Sequence, residues 1–278
     1  MTLSDYLARA IEQLKDAFVD TPQLDARLLV GHGLGLDRAQ LLSQSQRVLT
    51  DSERTILDAL ILRRSQRESV ARIIGAREFW SLNFGLNEAT LEPRPDSETL
   101  VEAVLSFSPQ PSRILDLGAG TGCLLLSLLH ERPNATGLGI DINPRAVEQA
   151  TANALALGLG TRVHFRQGNW TAGITEEFDV IISNPPYIPA TNIPSLMPEV
   201  RDYDPILALD GGADGQDPYR FLIPQLAHFL IPQGLVALEI GIGQALYVAD
   251  LFKQAGFQNI AIHKDLGGIE RCVTAAAK

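Results

Sequence analysis

Two cysteines, Cys123 and Cys272, are all that the 278 residues contain. They stand far apart and outside any metal-like spacing, so neither a disulfide framework nor a zinc site is read from them. The histidines (His32, His130, His164, His228 and His263) fall into no metal or catalytic spacing either, and no metal is expected. No apolar run reaches the roughly 20 residues that cross a bilayer. The opening stretch MTLSDYLARAIEQLKDAF is charged throughout and lacks the apolar core of a signal peptide. The expectation is a cytoplasmic protein with no membrane partner. Positive charge is also scarce: 23 Lys and Arg against 33 Asp and Glu leave a formal charge of -10. Nucleic-acid binding draws much of its affinity from phosphate neutralisation by Lys and Arg. A local basic groove is compatible with this balance, so the charge argues against a nucleic-acid enzyme without excluding one. No internal repeat and no low-complexity tract is present.

What is present suits a globular chain with a real core: 45% of residues are hydrophobic and 20% charged. The length suits one large domain plus a small one, or two modest domains. Residues 1–75 read as helices only, with Leu3, Leu7, Ile11 and Leu14 at helical spacing. Thr21-Pro22 reads as a cap followed by a first-turn proline, and Gly31, Gly33 and Gly35 loosen and end that helix. Asp37 with Gln40, and Thr50 with Glu53, match capping boxes. The helix over 51–69 is expected to place Ile56, Leu60 and Arg64 on one face. Residues 76–96 then read as a β-hairpin linker, with the turn near Gly85 or Asn87 and an extended Pro93-Arg94-Pro95 exit.

From Ser97 onward helix and strand alternate. SETLVEAVLSF, GCLLLSLLHER, NPRAVEQATANALALGL and DPYRFLIPQLAHFL read as helices; RILDLGAG, ATGLGIDI, RVHFRQGN, FDVIISNPPYI and GLVALEIG read as strands. The end, FQNIAIHKDLGGIERCVTAAA, reads as two strands joined at Gly267-Gly268. This alternation predicts an α/β domain over 97–278: a mostly parallel sheet of seven strands with helices on both faces and an antiparallel hairpin at its end.

Where the first of these strands meets a helix stands Asp116-Leu-Gly118-Ala119-Gly120-Thr121-Gly122. Glycines there let the backbone turn and approach a ligand closely. Asp141 ends the next strand, 23 residues past Gly118, where a carboxylate accepts both ribose hydroxyls of an adenosine. The pyridine-dinucleotide fingerprint is G-x-G-x-x-G, whereas this is G-x-G-x-G preceded by an acid. An acid there suits an ammonium and a sulfonium charge, which points to S-adenosylmethionine. Asn169-Trp170 follows the third strand, where Asn169 is placed to accept from an adenine amino group and Trp170 to wall the ring.

Asn184-Pro185-Pro186-Tyr187 closes the fourth strand. Proline donates no ladder bond, so a strand ending in two prolines is an odd structural choice. Its chemistry is easier to explain. The Asn184 side-chain oxygen and the Pro185 carbonyl can accept both hydrogens of a substrate –NH2, with Tyr187 sandwiching the flat group. An amide nitrogen is a poor nucleophile, and two acceptors would hold it in line and favour the positive charge it develops. The tetrapeptide fits planar –NH2 substrates without distinguishing glutamine from adenine.

Taken with IGAREFWSLNF, LEPRPDSETLVE, DLGAGTGCLLLSL, DINPRAVEQATANA, FDVIISNPPYIP, EVRDYDPILALDGGADG, EIGIGQ and KDLGGIERCV, these motifs resemble the HemK/PrmC-type protein-(glutamine N5) methyltransferases over nearly the whole chain. The resemblance implies a helical N-terminal substrate-recognition domain, a hairpin linker and a class I, Rossmann-like methyltransferase domain. It further implies S-adenosylmethionine as methyl donor, S-adenosylhomocysteine as product, and the glutamine of the Gly-Gly-Gln loop of class-1 peptide release factors as acceptor. By position, Gly118 to Gly122, Asp141, Trp170 and Asn184 would contact the donor, and Asn184 to Tyr187 the glutamine. Arg94 and Glu98, on the linker, would position the substrate backbone, or form a solvated salt bridge. Three residues depart from the family's habit: Glu92 for isoleucine, Ser69 for proline, and Asn169 for an aspartate before the tryptophan. Asparagine keeps the acceptor and loses the charge. The alternatives are an adenine-N6 methyltransferase, an enzyme methylating a ribosomal-protein glutamine, and a binding module that has lost catalysis. The acidic charge, the helical N-terminus and the intact Asn184 to Tyr187 weigh against them in turn.

Overall fold

The computed structural model describes residues 1–107 and 110–278. In chain order the helical stretch comprises α1 (Leu3–Asp16), α2 (Pro22–Leu34), α3 (Arg38–Ser43), α4 (Asp51–Ser65) and α5 (Val70–Ile74). The hairpin β1 (Ala76–Phe79) and β2 (Leu82–Gly85) follows, then α6 (Glu98–Leu105), β3 (Arg113–Leu117), α7 (Cys123–Glu131), β4 (Thr136–Asp141) and α8 (Pro144–Ala156). Next come β5 (Val163–Gln167), β6 (Phe178–Ser183), the one-turn α9 (Pro198–Arg201) and α10 (Asp217–Leu226). The chain ends with β7 (Leu230–Glu239), α11 (Ala245–Gln254), β8 (Gln258–Lys264) and β9 (Glu270–Ala276). Two compact units result: Met1–Ala76 with Met197–Tyr203, and Arg77–Leu196 with Asp204–Lys278.

In the first unit, capping boxes at Thr2/Asp5, Asp37/Gln40 and Thr50/Glu53 open α1, α3 and α4. Thr21 behaves differently from its expected role. Its hydroxyl donates to Asp25 Oδ1 at 2.8 Å instead of accepting a helix N–H. Asp25 is buried beside Arg64, whose Nε donates to it at 2.7 Å, and a buried carboxylate recruits whatever donors are near. The buried face of α4 is Leu57, Ile61 and Arg64, one residue round from the Ile56 and Leu60 expected. Glu199 of α9 accepts from Arg64 and from both Nε and Nη2 of Arg67, which explains why this short segment clusters with the helices.

The hairpin turns at Trp80-Ser81, with φ of 52° and 58°, rather than at Gly85 or Asn87. Carboxylates hold it there: Glu98 accepts the Trp80 N–H at 3.0 Å and Glu78 the Ser81 N–H at 2.8 Å. Glu98 is therefore a buttress of the turn.

The large sheet runs β5-β4-β3-β6-β7-β9-β8, with β9 antiparallel to both neighbours and the other pairings parallel. Alternate residues face opposite ways: Ile114 packs in one core layer and Leu115 and Leu117 in the other. Both faces are covered, one by α6, α7 and α8 and the other by α10 and α11. α11 lies in a stretch to which the sequence reading assigns no element. The chain winds outward from β3 through β4 to β5, then returns to β3's other side as β6, so the strand order reverses at β3. A crevice beyond the carboxyl ends of the strands at such a reversal is where open α/β sheets bind ligands. Among the described residues no helix is long and apolar enough to cross a membrane, and no group of three or more His, Cys, Asp or Glu gathers as a metal site.

Candidate active site

A cleft of about 240 Å³ opens at this reversal. The glycine turn from Gly118 to Thr121, Asp141, Asn169, Trp170, Asn184, Pro186 and Arg94 all line it. Asp116, Gly122, Pro185 and Tyr187 are not among the lining residues.

The turn is tied to β4 by the N–H groups of Gly118 and Ala119, which donate to the Ile140 carbonyl at 2.8 and 3.0 Å. Gly122 has φ of 78°, and a Cβ there would lie 2.8 Å from the Phe165 ring. Glycine is thus required on two counts, backbone and space. Asp141 accepts from Gly120 N at 2.8 Å through one oxygen and from Asn143 N at 2.9 Å through the other. Each oxygen keeps a lone pair for a hydroxyl. Burial raises the Asp141 pKa against these two bonds. Trp170 holds φ of 53°, and its ring comes within 3.4 Å of where a Gly118 Cβ would sit.

Asp116 is 1% exposed, and neither carboxylate oxygen has a hydrogen-bond partner among the described residues. Burial, and after it the charge of Asp141, pushes its pKa up to about 8. A buried carboxylate without a counter-charge suits a cationic ligand group.

On the other side of β3, Ser183 ends β6 with its hydroxyl donating to the Leu117 carbonyl at 2.6 Å. Asn184 follows, and its Nδ2 donates to Ser97 Oγ at 3.4 Å. No described residue donates to Asn184 Oδ1 or to the Pro185 carbonyl.

Residues 5–75 match the family described as the PrmC N-terminal domain, and residues 110–209 match a methyltransferase domain. The release factor glutamine methyltransferase of Rhodospirillum rubrum is 51% identical over 276 residues, covering 99% of this chain and 85% of that one. This chain belongs to the release factor glutamine methyltransferase family. The relative from Bradyrhizobium diazoefficiens is 46% identical over 269 residues, covering 95% and 91%. Among solved structures, a methyltransferase from Pyrococcus furiosus aligns with a TM-score of 0.54 at 18% identity, over 79% of this chain and 96% of that one. The hMettl16 catalytic domain bound to a MAT2A 3'UTR hairpin aligns with a TM-score of 0.60 at 13% identity, over 82% and 83%. At such identities the likeness is one of fold, and the class I methyltransferase fold is the one shared.

The structure adds residues and bonds to this methyltransferase site beyond those expected from the sequence. Tyr187, expected to sandwich the flat substrate group, does not line the cleft: its hydroxyl donates to Glu239 Oε1 at 3.3 Å, and its carbonyl accepts from Gln244 Nε2 at 3.0 Å. Gln244 also donates to the Gly215 carbonyl at 3.1 Å and accepts from Gly241 N at 2.9 Å. Both belong to EIGIGQ, a motif the family resemblance includes; an acid ending the apolar strand LVALE was the available signal. Pro205, Leu207 and Ala208 add an apolar wall, and Glu92 lines the cleft 3.6 Å from Arg77. Arg94 also pairs with Asp204 at 2.6 Å, so the salt bridge and the cleft position hold together. Asn153, 4% exposed, donates to the Gly85 and Thr121 carbonyls at 3.1 and 2.9 Å and accepts from Gly85 N at 2.8 Å. It thereby pins the hairpin to the glycine turn.

Proposed function

We propose that this chain transfers the methyl group of S-adenosylmethionine to the side-chain N5 of the glutamine in the Gly-Gly-Gln motif of class-1 peptide release factors. The observation that carries the reading is a pair of unused acceptors, Asn184 Oδ1 and the Pro185 carbonyl, beside the cleft that the glycine turn and Asp141 line. S-adenosylmethionine supplies an electrophilic methyl group on a cationic sulfur and leaves as S-adenosylhomocysteine.

The chain's own residues bind and orient. Asp141 accepts the ribose hydroxyls, Trp170 and Asn169 flank the adenine, and Asp116 offers the negative charge toward the ammonium end. Gly118, Ala119, Gly120, Thr121 and Gly122 give the close backbone approach. Asn184 and Pro185 accept the two amide hydrogens and so fix the nitrogen in line, favouring the partial positive charge it gains. No general base is needed before transfer, because the proton becomes acidic once the nitrogen is alkylated and can pass to water. Pro186 lines the acceptor site, Tyr187 holds the loop behind it through Glu239 and Gln244, and Arg94 meets the substrate backbone. The helical domain over 1–75 recognises the release factor, with 76–96 as linker and 97–278 as the catalytic domain. The named curated relatives, and a formal charge of -10, favour a protein acceptor over a nucleic acid.

The test is methyl transfer from labelled S-adenosylmethionine to three acceptors: a release factor, its Gln→Ala variant in the Gly-Gly-Gln loop, and duplex DNA. Label is expected on the intact release factor alone. Asn184→Ala should lower transfer by about 10²-fold or more while retaining the donor. Label on DNA would replace this reading with an adenine methyltransferase.

A further inference from the structure

The cleft mouth carries an ion pair whose two ends differ in burial. Arg94, on the extended exit of the hairpin linker, lines the cleft with its side chain 36% exposed. Its Nη2 donates to Asp204 Oδ2 at 2.6 Å, and the Asp204 side chain is 1% exposed. Asp204 lies in the stretch RDYDP, which the methyl-transfer chemistry leaves without a task. The residues after it fold back on themselves: Ala208 N donates to the Pro205 carbonyl at 2.9 Å and Leu209 N to the Ile206 carbonyl at 3.0 Å. Pro205, Leu207 and Ala208 line the cleft, and Ile206 and Leu207 are exposed.

An arginine side chain at a surface samples many rotamers, and fixing it on a ligand costs that freedom. Asp204 removes the cost ahead of binding. A buried carboxylate cannot follow a wandering guanidinium, so the guanidinium stays where the carboxylate is. Loss of the pair would leave Asp204 as a buried charge without this counter-charge, which keeps the pair closed. The guanidinium is a planar fork of N–H donors. A bond through Nη2 leaves the rest of the fork to the cleft that Arg94 lines.

The pairing also limits what the fork recognises. With Asp204 beside it the local charge is cancelled, so the site offers hydrogen bonds without a net positive field. A phosphate draws its affinity from uncompensated positive charge and is poorly served. A neutral carbonyl is well served. The exposed Ile206 and Leu207 continue the cleft as an apolar ledge, which costs an anion its hydration. A backbone without side chains can lie flat on such a ledge and still turn its carbonyls to the fork. Resting on the glutamine reading above, we infer that Asp204 is a positioning residue that holds Arg94 as a neutralised fork for the backbone carbonyls of the glycines preceding the acceptor glutamine.

One readout needs no acceptor. The Arg94 Nε–H resonance, assigned by its absence in Arg94→Lys, should show the heteronuclear NOE of an ordered group in the wild type. In Asp204→Asn it should fall to that of a mobile side chain. A resonance equally ordered in that variant would overturn the positioning role. With a release factor as acceptor, Asp204→Asn should raise KM by about tenfold. Its kcat should stay within about threefold and its donor dissociation constant within about twofold. Arg94→Lys keeps the counter-charge of Asp204 and loses the planar fork, so KM should rise by a similar factor. Because Asp204 acts through Arg94, the double variant should lose less than about twofold more than either single one. Wild-type KM in Arg94→Lys, or additive losses in the double variant, would refute the inference. Arg94→Lys decides the matter even where Asp204→Asn fails to fold. Absence of label on the release factor would sink the glutamine reading instead, and the resonance would still report whether Asp204 holds Arg94.

Discussion

If Asp116 faces the donor's ammonium, as proposed, donor binding becomes a proton-linked event. Its carboxyl is sealed 1% exposed behind the glycine turn, has no hydrogen-bond partner among the described residues, and has its pKa pushed up to about 8, first by burial and then by Asp141. At pH 7 such a group is about 90% protonated. A ligand ammonium stabilises the ionised form and drives the proton off. Binding of S-adenosylmethionine at pH 7 should therefore release about 0.9 proton from this carboxyl, falling to about 0.1 at pH 9. The dissociation constant should tighten by about tenfold over the same range. Isothermal titration calorimetry in buffers of different ionisation enthalpy measures the released protons. Asp116→Asn, compared at each pH, removes the contribution of the ligand's own amino group, which titrates alike for both proteins.

The same carboxyl carries a stability signature with a definite sign. Its folded pKa is raised, so its protonated form is the one the fold favours. That contribution is present in full below the unfolded value of about 3.9, and it is lost as the pH rises toward about 8. Asp116→Asn should lack this decline, so its melting temperature should gain on the wild type from pH 4 to pH 8. Equal proton release by the two proteins, together with parallel stability profiles, would refute the assignment of Asp116 as the ammonium's counter-charge.

Gly122→Ala should fail structurally: its φ of 78° and a Cβ 2.8 Å from Phe165 predict a loss of about 2–4 kcal/mol, measured by denaturant unfolding. Asn153→Ala leaves Gly85 N and the Gly85 and Thr121 carbonyls without their partner, which should cost about 1–3 kcal/mol and weaken donor binding, read by chemical denaturation and titration. Glu199→Gln removes the charge that Arg64 and Arg67 share, so hydrogen exchange in α4 should speed up by the equivalent of about 1.5–3 kcal/mol. Arg94→Ala should raise KM for the release factor and leave the donor dissociation constant unchanged, as steady-state kinetics and titration would show.

Local chemistry was legible in the sequence, and long-range chemistry was not. The capping boxes at Asp37/Gln40 and Thr50/Glu53 are bonds across three residues, so reading their partners requires no fold. The alternation of strands and helices likewise follows from periodicity. The face of α4 is not legible from the sequence because Ile56, Leu57, Leu60, Ile61 and Leu62 ring the helix with apolar side chains, and packing alone chooses Leu57 and Ile61. The hairpin turn is hidden in the sequence because Trp80 and Ser81 occupy a left-handed turn that residue preference reserves for Asn and Gly, and distant Glu98 helps to hold it. In the cleft, the glycine turn, Asp141 and Asn184 stood out because each sits at a strand end. Ser97, Gln244 and Glu239 act from 87, 57 and 52 residues away from their partners, and such pairings leave no spacing to read.

Those distant residues explain how a loop with two prolines can present acceptors at all. Pro185 and Pro186 have no N–H, so the loop cannot extend the sheet, and an unsupported loop would wander. Support comes instead from residues 209–215. Ile188 N donates to the Leu209 carbonyl at 3.0 Å and Gly211 N to the Ile188 carbonyl at 2.9 Å. Gly211 and Gly215 lie so close that a Cβ would come 2.8 Å from the Pro186 carbonyl or 2.3 Å from that of Tyr187. Gln244 ties the Tyr187 carbonyl from a third direction. Every one of these restraints acts on Pro186 or beyond. None uses Asn184 Oδ1 or the Pro185 carbonyl, the two atoms that the proposed chemistry needs free. The glycines of DGGADG and the glutamine of EIGIGQ are in this sense part of the proposed acceptor site, although they would touch neither reactant: they hold the loop by its far half so that its near half is left to the substrate.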